Sequence, residues 1–202
     1  MNIETIIKER HLLNHPFYEK WQRGKISMDT LQDYSRQYFH YERALPAFLS
    51  SALEHLPEGP AKVAVGKVLE DETSHPEPHT DLWLKFASAL GAGDALTANP
   101  WPRTTNLVET YHSLCAHGSE EALGALYAYE SQIPAVAQAK ADGLRKFYAV
   151  PEGEGLKFFD LHATMDVGHA AAIRTGFSDS ELARESAHLA LDAWWDMLDQ
   201  FD

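Results

Sequence analysis

Two imidazoles and a carboxylate recur at helical spacing in the stretch Phe158-Phe159-Asp160-Leu161-His162-Ala163-Thr164-Met165-Asp166-Val167-Gly168-His169. At about 100° per residue, His162, Asp166 and His169 fall within roughly 60° of arc on one helix face. Nitrogen and oxygen donors aligned in this way make half of a metal site of the kind that helical bundles assemble from facing helices. A solvated polar stripe, or a core histidine satisfied by the aspartate, would account for His162 and Asp166 alone. The third donor at i+7, in an otherwise apolar helix, brings the metal reading level with that one.

A two-metal site needs donors from other helices as well. Glu130 sits in Ala128-Tyr129-Glu130-Ser131-Gln132-Ile133-Pro134, inside an otherwise apolar segment. A glutamate there is costly to bury unless it is paired or bound to a metal, and taken alone it reads as a surface position on an amphipathic helix. Glu70, Asp71, Glu72, His75 and His79 surround Pro76 and Pro78. Glu72 and His75 have the Glu-x-x-His spacing of ferritin-like di-iron helices. Glu72 and His79 are seven apart and converge if the backbone unwinds between them. Spacing alone does not choose between the two histidines, and a solvated capping segment remains the plain alternative.

Taken together, Glu72…His79-x-x-Leu82-Trp83, Glu130 and His162-x3-Asp166-x2-His169 resemble the ligand set of the haem-oxygenase-like di-metal oxidases, which share their fold with the thiaminase II (TenA) and PQQ-synthase (PqqC) proteins. Within that superfamily the sequence looks most like the family of the chlamydial protein associating with death domains and its bacterial relatives, over nearly the whole chain. The resemblance implies that Glu72, His79, Glu130, His162, Asp166 and His169 hold two metal ions, Fe/Fe or Mn/Fe, with O2 and an external reductant and without haem. It favours His79 over His75. It also implies para-aminobenzoate synthesis for folate, with the ring cut from the protein's own Tyr18 and the amino group supplied by Lys140, so that each chain reacts once. From residue chemistry alone, Tyr18 reads as a core aromatic and Lys140 as a surface lysine. Tyr34, Tyr41 and Tyr129 are further candidates for redox or site-lining roles.

These residues need helices to carry them. Nearly every segment has a period near 3.6, and no alternating Val/Ile/Thr run suggests a sheet. A short helix is expected through Ile3, Ile6 and Ile7, then a turn and a second short helix ending near Gly24. A long helix starts at the N-cap Ser27 and is bent or interrupted at Pro46. Further helices are expected from Ala61 towards Glu72, from Asp81 to Gly91 and through Leu107, Tyr111 and Leu114. Another runs from a Ser119 cap, kinked at Pro134, to Tyr148. The His162 helix ends near Gly176, and Ser178-Asp179-Ser180-Glu181 opens the last. The expectation is an all-α, haem-oxygenase-like bundle of about seven helices in one domain, residues 1–202.

The totals bound the function. The 202 residues carry a net charge of −13, which argues against nucleic acid or an anionic membrane as partner. Met1-Asn2-Ile3-Glu4 does not open a signal peptide, no run spans a bilayer, and the single Cys115 cannot form an internal disulfide. A cytoplasmic protein is expected. Eleven histidines raise the prospect of a metal or acid–base site. The superfamily often forms dimers, so a homodimer is the expected assembly. Two other readings compete: a multi-turnover di-iron oxygenase on an external small molecule, which needs the six ligands but neither Tyr18 nor Lys140, and a non-enzymatic partner-binding protein with structural metal. Thiaminase chemistry is disfavoured because Cys115 lies away from every candidate ligand.

Overall fold

The computed structural model describes residues 2–74 and 76–201, apart from the side chains of Met165, Asp166 and Val167. Among them are α1 (Ile3–Glu9), a 3-10 turn (Leu12–Asn14), α2 (Pro16–Gln22), α3 (Met28–His55), α4 (Pro60–Ser74), α5 (His79–Ala89), α6 (Pro102–His117), α7 (Ser119–Glu130), α8 (Ile133–Phe147), α9 (Lys157–Arg174) and α10 (Glu181–Asp199). No strand occurs among the described residues. Among the described residues the helices number ten rather than about seven. The surplus comes from the short α1 and α2 and from a break after Glu130.

Local chemistry fixes the ends. Ser27 and Ser180 cap α3 and α10, their hydroxyls accepting from Thr30 N–H and Ala183 N–H, which satisfies donors that a helix start leaves bare. Ser119 does not cap α7; it is the first helical residue, and the extended Gly118 precedes it. The expected continuous helix through Pro134 is two helices. Gln132 accepts the Leu12 N–H at 2.7 Å and donates to the Ala128 carbonyl at 2.6 Å. The Gln132 backbone N–H turns to the Tyr129 carbonyl, so its side chain serves the Ala128 carbonyl that a continuing helix would have bonded through that N–H. Pro134, which needs no N–H partner there, sits in the first turn of α8.

The 28-residue α3 is the central element, packed against α4, α5, α6 and α7. Pro46 lies inside it without ending it. The α10 helix lies across α6 and α7, and the α8–α9 pair closes the site side with α4. The α7–α10 crossing is close: a Cβ on Gly124 would stand 2.3 Å from the Ala183 carbonyl oxygen. Trp21, Trp83, Trp194, Tyr18, Tyr34, Tyr41 and Tyr111 are all fully buried. The core is therefore aromatic, and its phenols and indoles need hydrogen-bond partners inside the protein.

Candidate metal centre and its aromatic surround

The break between α4 and α5 brings the first donors together. Glu72 lies in the last turn of α4 and His79 is the first residue of α5, after the extended Pro78. The prolines prevent a continuous helix, and His79 Nδ1 comes within 2.9 Å of Glu72 Oε2. Neither ring nitrogen of the buried His79 makes an aligned hydrogen bond.

His162 arrives from α9. Its Nδ1 lies 2.7 Å from the Phe158 carbonyl, to which it donates, and the Phe158 ring stacks on the imidazole at 4.1 Å. The neutral ring then turns its Nε2 lone pair towards Glu72 Oε1, 3.7 Å away. One donor atom each from Glu72, His79 and His162 lies within 4.8 Å of the others, all three residues buried. Two acceptors facing one another beside an imidazole without an aligned hydrogen bond fit a cation better than they fit a hydrogen-bonded core, and N/O donors of this kind suit iron or manganese. Burial alone would raise the Glu72 carboxyl, but the imidazoles of His162 and His79, when protonated, outweigh it and hold it at about 2.

The structure places the other expected ligands less uniformly. Glu130 is buried at the end of α7, where its charge acts on the phenols of Tyr41 and Tyr111. His169 is held by Asp71, Nε2 to Oδ2 at 2.9 Å. Neither belongs to the close Glu72–His79–His162 group. The Asp166 side chain and His75 lie outside the described residues.

Beside this group is an aromatic chamber. Tyr18 projects from α2, and its hydroxyl lies 2.9 Å from that of Tyr34. Burial raises the Tyr18 phenol pKa, with the Tyr34 hydrogen bond pulling the other way. Lys140 from α8 is 2% exposed, not a surface lysine. Its Nζ stands 4.3 Å from the Tyr38 ring centre, 5.3 Å from that of Tyr34, 5.6 Å from that of Tyr18 and 5.7 Å from that of Trp83. Burial pushes its pKa down to about 7, against the pull of Glu42, so a large share of the amine is neutral near neutral pH. Tyr38 and Tyr129 share a hydroxyl hydrogen bond, and Tyr129 stacks on Trp194 at 5.2 Å. Tyr41 packs on Tyr129 and Trp194.

Sequence reading missed Glu42, which is 2% exposed on α3. Burial first, then the neighbouring Glu72, raises its carboxyl well above the ordinary range, while His162 and Lys140 pull it down. It therefore sits between the ligand group and the lysine. The signal was present: Tyr34, Tyr38 and Glu42, then Leu45 and Leu49, follow one helical face, so Glu42 occupies a core position. Tyr38 was missed as well, whereas Asp71, one of the candidates around the prolines, is placed against His169.

Residues 32–200 match the family described as iron-containing redox enzymes. The chain is 39% identical to a 4-aminobenzoate synthase of Nitrosomonas europaea, over 98% of this chain and 88% of that protein. It is 32% identical to a 4-aminobenzoate synthase of Chlamydia muridarum, again over 98% and 88%. Among solved structures, a TenA homologue from Pseudomonas syringae superposes with a TM-score of 0.79 at 16% identity, covering 96% of this chain and 87% of that one.

Proposed function

Because the chain belongs to the haem-oxygenase-like family of iron-containing redox enzymes, we propose that it is a para-aminobenzoate synthase whose ring source is its own Tyr18 and whose amino donor is Lys140. The likeness to two aminobenzoate synthases over nearly the whole chain supports the product. The observation that carries the mechanism is a buried lysine amine 5.6 Å from the Tyr18 ring centre, beside a buried Glu–His–His group.

Glu72, His79 and His162 would hold the metal, with Glu130, Asp166 and His169 completing a two-metal set. Iron, or manganese and iron, bound there would supply, with O2 and an external reductant, the oxidant for an aromatic side chain. The protein's own residues do the rest. The aromatic chamber excludes water and holds the Tyr18 ring at a fixed distance. The Tyr34 hydroxyl, at 2.9 Å, can take or return the phenolic proton as Tyr18 is oxidised. Burial keeps Lys140 available as an amine, the form that can bond to carbon; donating its nitrogen would break the Nζ–Cε bond and leave Cε oxidised to an aldehyde, the phenolic oxygen leaving as water. Glu42 can hold a proton between the carboxylate side and the lysine side of the chamber.

The test is intact mass and peptide mapping before and after exposure to Fe(II) or Mn(II) with Fe(II), a reductant and O2. Mass loss at Tyr18 and one equivalent of para-aminobenzoate per chain are expected, with none from Tyr18→Phe or Lys140→Arg. Wild-type yield from Tyr18→Phe would show that the ring comes from elsewhere. One observation favours a multi-turnover oxygenase instead: a groove of about 760 Å³ between α4 and α9 reaches Asp71 and His169. Continued O2 uptake with an added small substrate, and no para-aminobenzoate, would decide for that reading.

A further inference from the structure

Asp71 precedes Glu72 in α4, and consecutive helical residues point about 100° apart. Glu72 faces His79 on α5 and His162 on α9, whereas Asp71 faces His169, seven residues further along α9. Asp71 is only 1% exposed, and a carboxylate so deep must be paired. Lys67 Nζ lies 2.9 Å from its Oδ1, and His169 Nε2 lies 2.9 Å from its Oδ2. A carboxylate accepts, so a ring hydrogen lies on Nε2, and the neutral form of the imidazole then carries its lone pair on Nδ1.

We infer that Asp71 is a positioning residue for His169: it fixes the ring's tautomer and direction so that Nδ1 is the atom offered to a metal ion. The inference rests on His169 being a ligand. His162, seven residues earlier on the same helix, is set the opposite way, with Nδ1 on the Phe158 carbonyl and Nε2 towards Glu72. The two histidines thus present different ring nitrogens, each chosen by what holds the other nitrogen. Lys67 has a part in this. It pairs with Oδ1 and leaves Oδ2 to the imidazole.

Ring-15N histidine in the metal-free protein reads the tautomer, the His169 signal being assigned by its loss in His169→Gln. A protonated Nε2 and a bare Nδ1 are expected in wild type, and loss of that preference in Asp71→Ala. In anaerobic Fe(II) titration, Asp71→Ala should weaken one of two ions about 10–100-fold and leave the other unchanged. Asp71→Asn, whose amide oxygen still accepts from Nε2–H, should restore the tautomer and part of the affinity. A protonated Nδ1 in wild type, or wild-type Fe(II) affinity in Asp71→Ala, overturns the inference. His169→Ala separates the two levels. If it also binds two ions normally, the ligand reading has failed and the inference with it. If it loses one ion and Asp71→Ala loses none, only the inference has failed. Should Asp71→Ala not fold, the wild-type tautomer and Asp71→Asn decide.

Discussion

Lys140 carries the largest change between what a side chain does in water and what it does here. Its pKa falls to about 7 in the folded chain because burial disfavours the ammonium, against about 10.4 when exposed. Between those values the unfolded chain holds a proton that the folded chain lacks, so the lysine's contribution to stability rises with pH across the window. Below about pH 7 both states are protonated and the penalty is full. Lys140→Met, similar in length and apolar, should therefore raise the free energy of unfolding at pH 7 by a few kcal/mol, since each tenfold change in proton affinity is worth ~1.4 kcal/mol. The gain should fade towards pH 10.5. Urea titrations of both proteins at pH 7, 9 and 10.5 check this, and a gap independent of pH would mean that the amine is charged inside the fold. The same burial made Lys140 illegible in the sequence as anything but a surface residue. Its surround comes from α2, α3, α5 and α9, and one-dimensional spacing carries no trace of that. Glu42 differs: its place on the Tyr34–Tyr38 face was readable from periodicity.

At the level of elements, the proline-marked break between α4 and α5 was legible, because two prolines two residues apart cannot continue a helix. What the break achieves was not. Glu72 and His79 converge only because α5 begins at His79 itself. His79→Ala should lose bound metal, measured by elemental analysis after anaerobic loading, with the helix content unchanged. The split between α7 and α8 escaped sequence reading for a different reason. Its closure depends on Gln132 reaching Leu12, which is 120 positions away in the chain. A second contact at this scale places the proposed reacting pair, Tyr18 and Lys140. A Cβ on Gly143 in α8 would lie 2.6 Å from the Trp21 ring in α2, and Trp21 Nε1–H donates to the Lys140 carbonyl at 3.2 Å. Gly143→Ala should push α2 from α8, cost about 1–3 kcal/mol in thermal unfolding, and lower the yield of para-aminobenzoate through misplacement of Tyr18.

For the whole molecule, the donors of the candidate metal centre come from three separate helices. Glu72, His79 and His162 link α4, α5 and α9, and an ion bound to the folded chain alone stabilises it by mass action. At 100-fold above the dissociation constant the gain is ~2.7 kcal/mol, or about 5–10 °C for a chain of this size. Adding Fe(II) without O2 should raise the melting temperature by that order, and His162→Ala should abolish the rise. No helix among the described residues is long and apolar enough to cross a membrane, in keeping with the composition. The all-helical class followed from periodicity, whereas the order of packing did not, because close approaches such as Gly124 on Ala183 are set by residues far apart in the chain.

Tyr18 meets Phe17, Trp21 and Tyr34 in the core and is 1% exposed. On the proposed reaction its ring leaves, and a void stays behind where an aromatic side chain had packed. Truncating a buried aromatic removes about 3–5 kcal/mol of stability, a large part of what holds an ordinary domain together. The spent chain should melt well below the unreacted one and be cut faster by protease. Supply of the product would then be metered by the ribosome, one molecule per polypeptide, and each used polypeptide would carry in its weakened core the mark by which degradation returns its amino acids to synthesis.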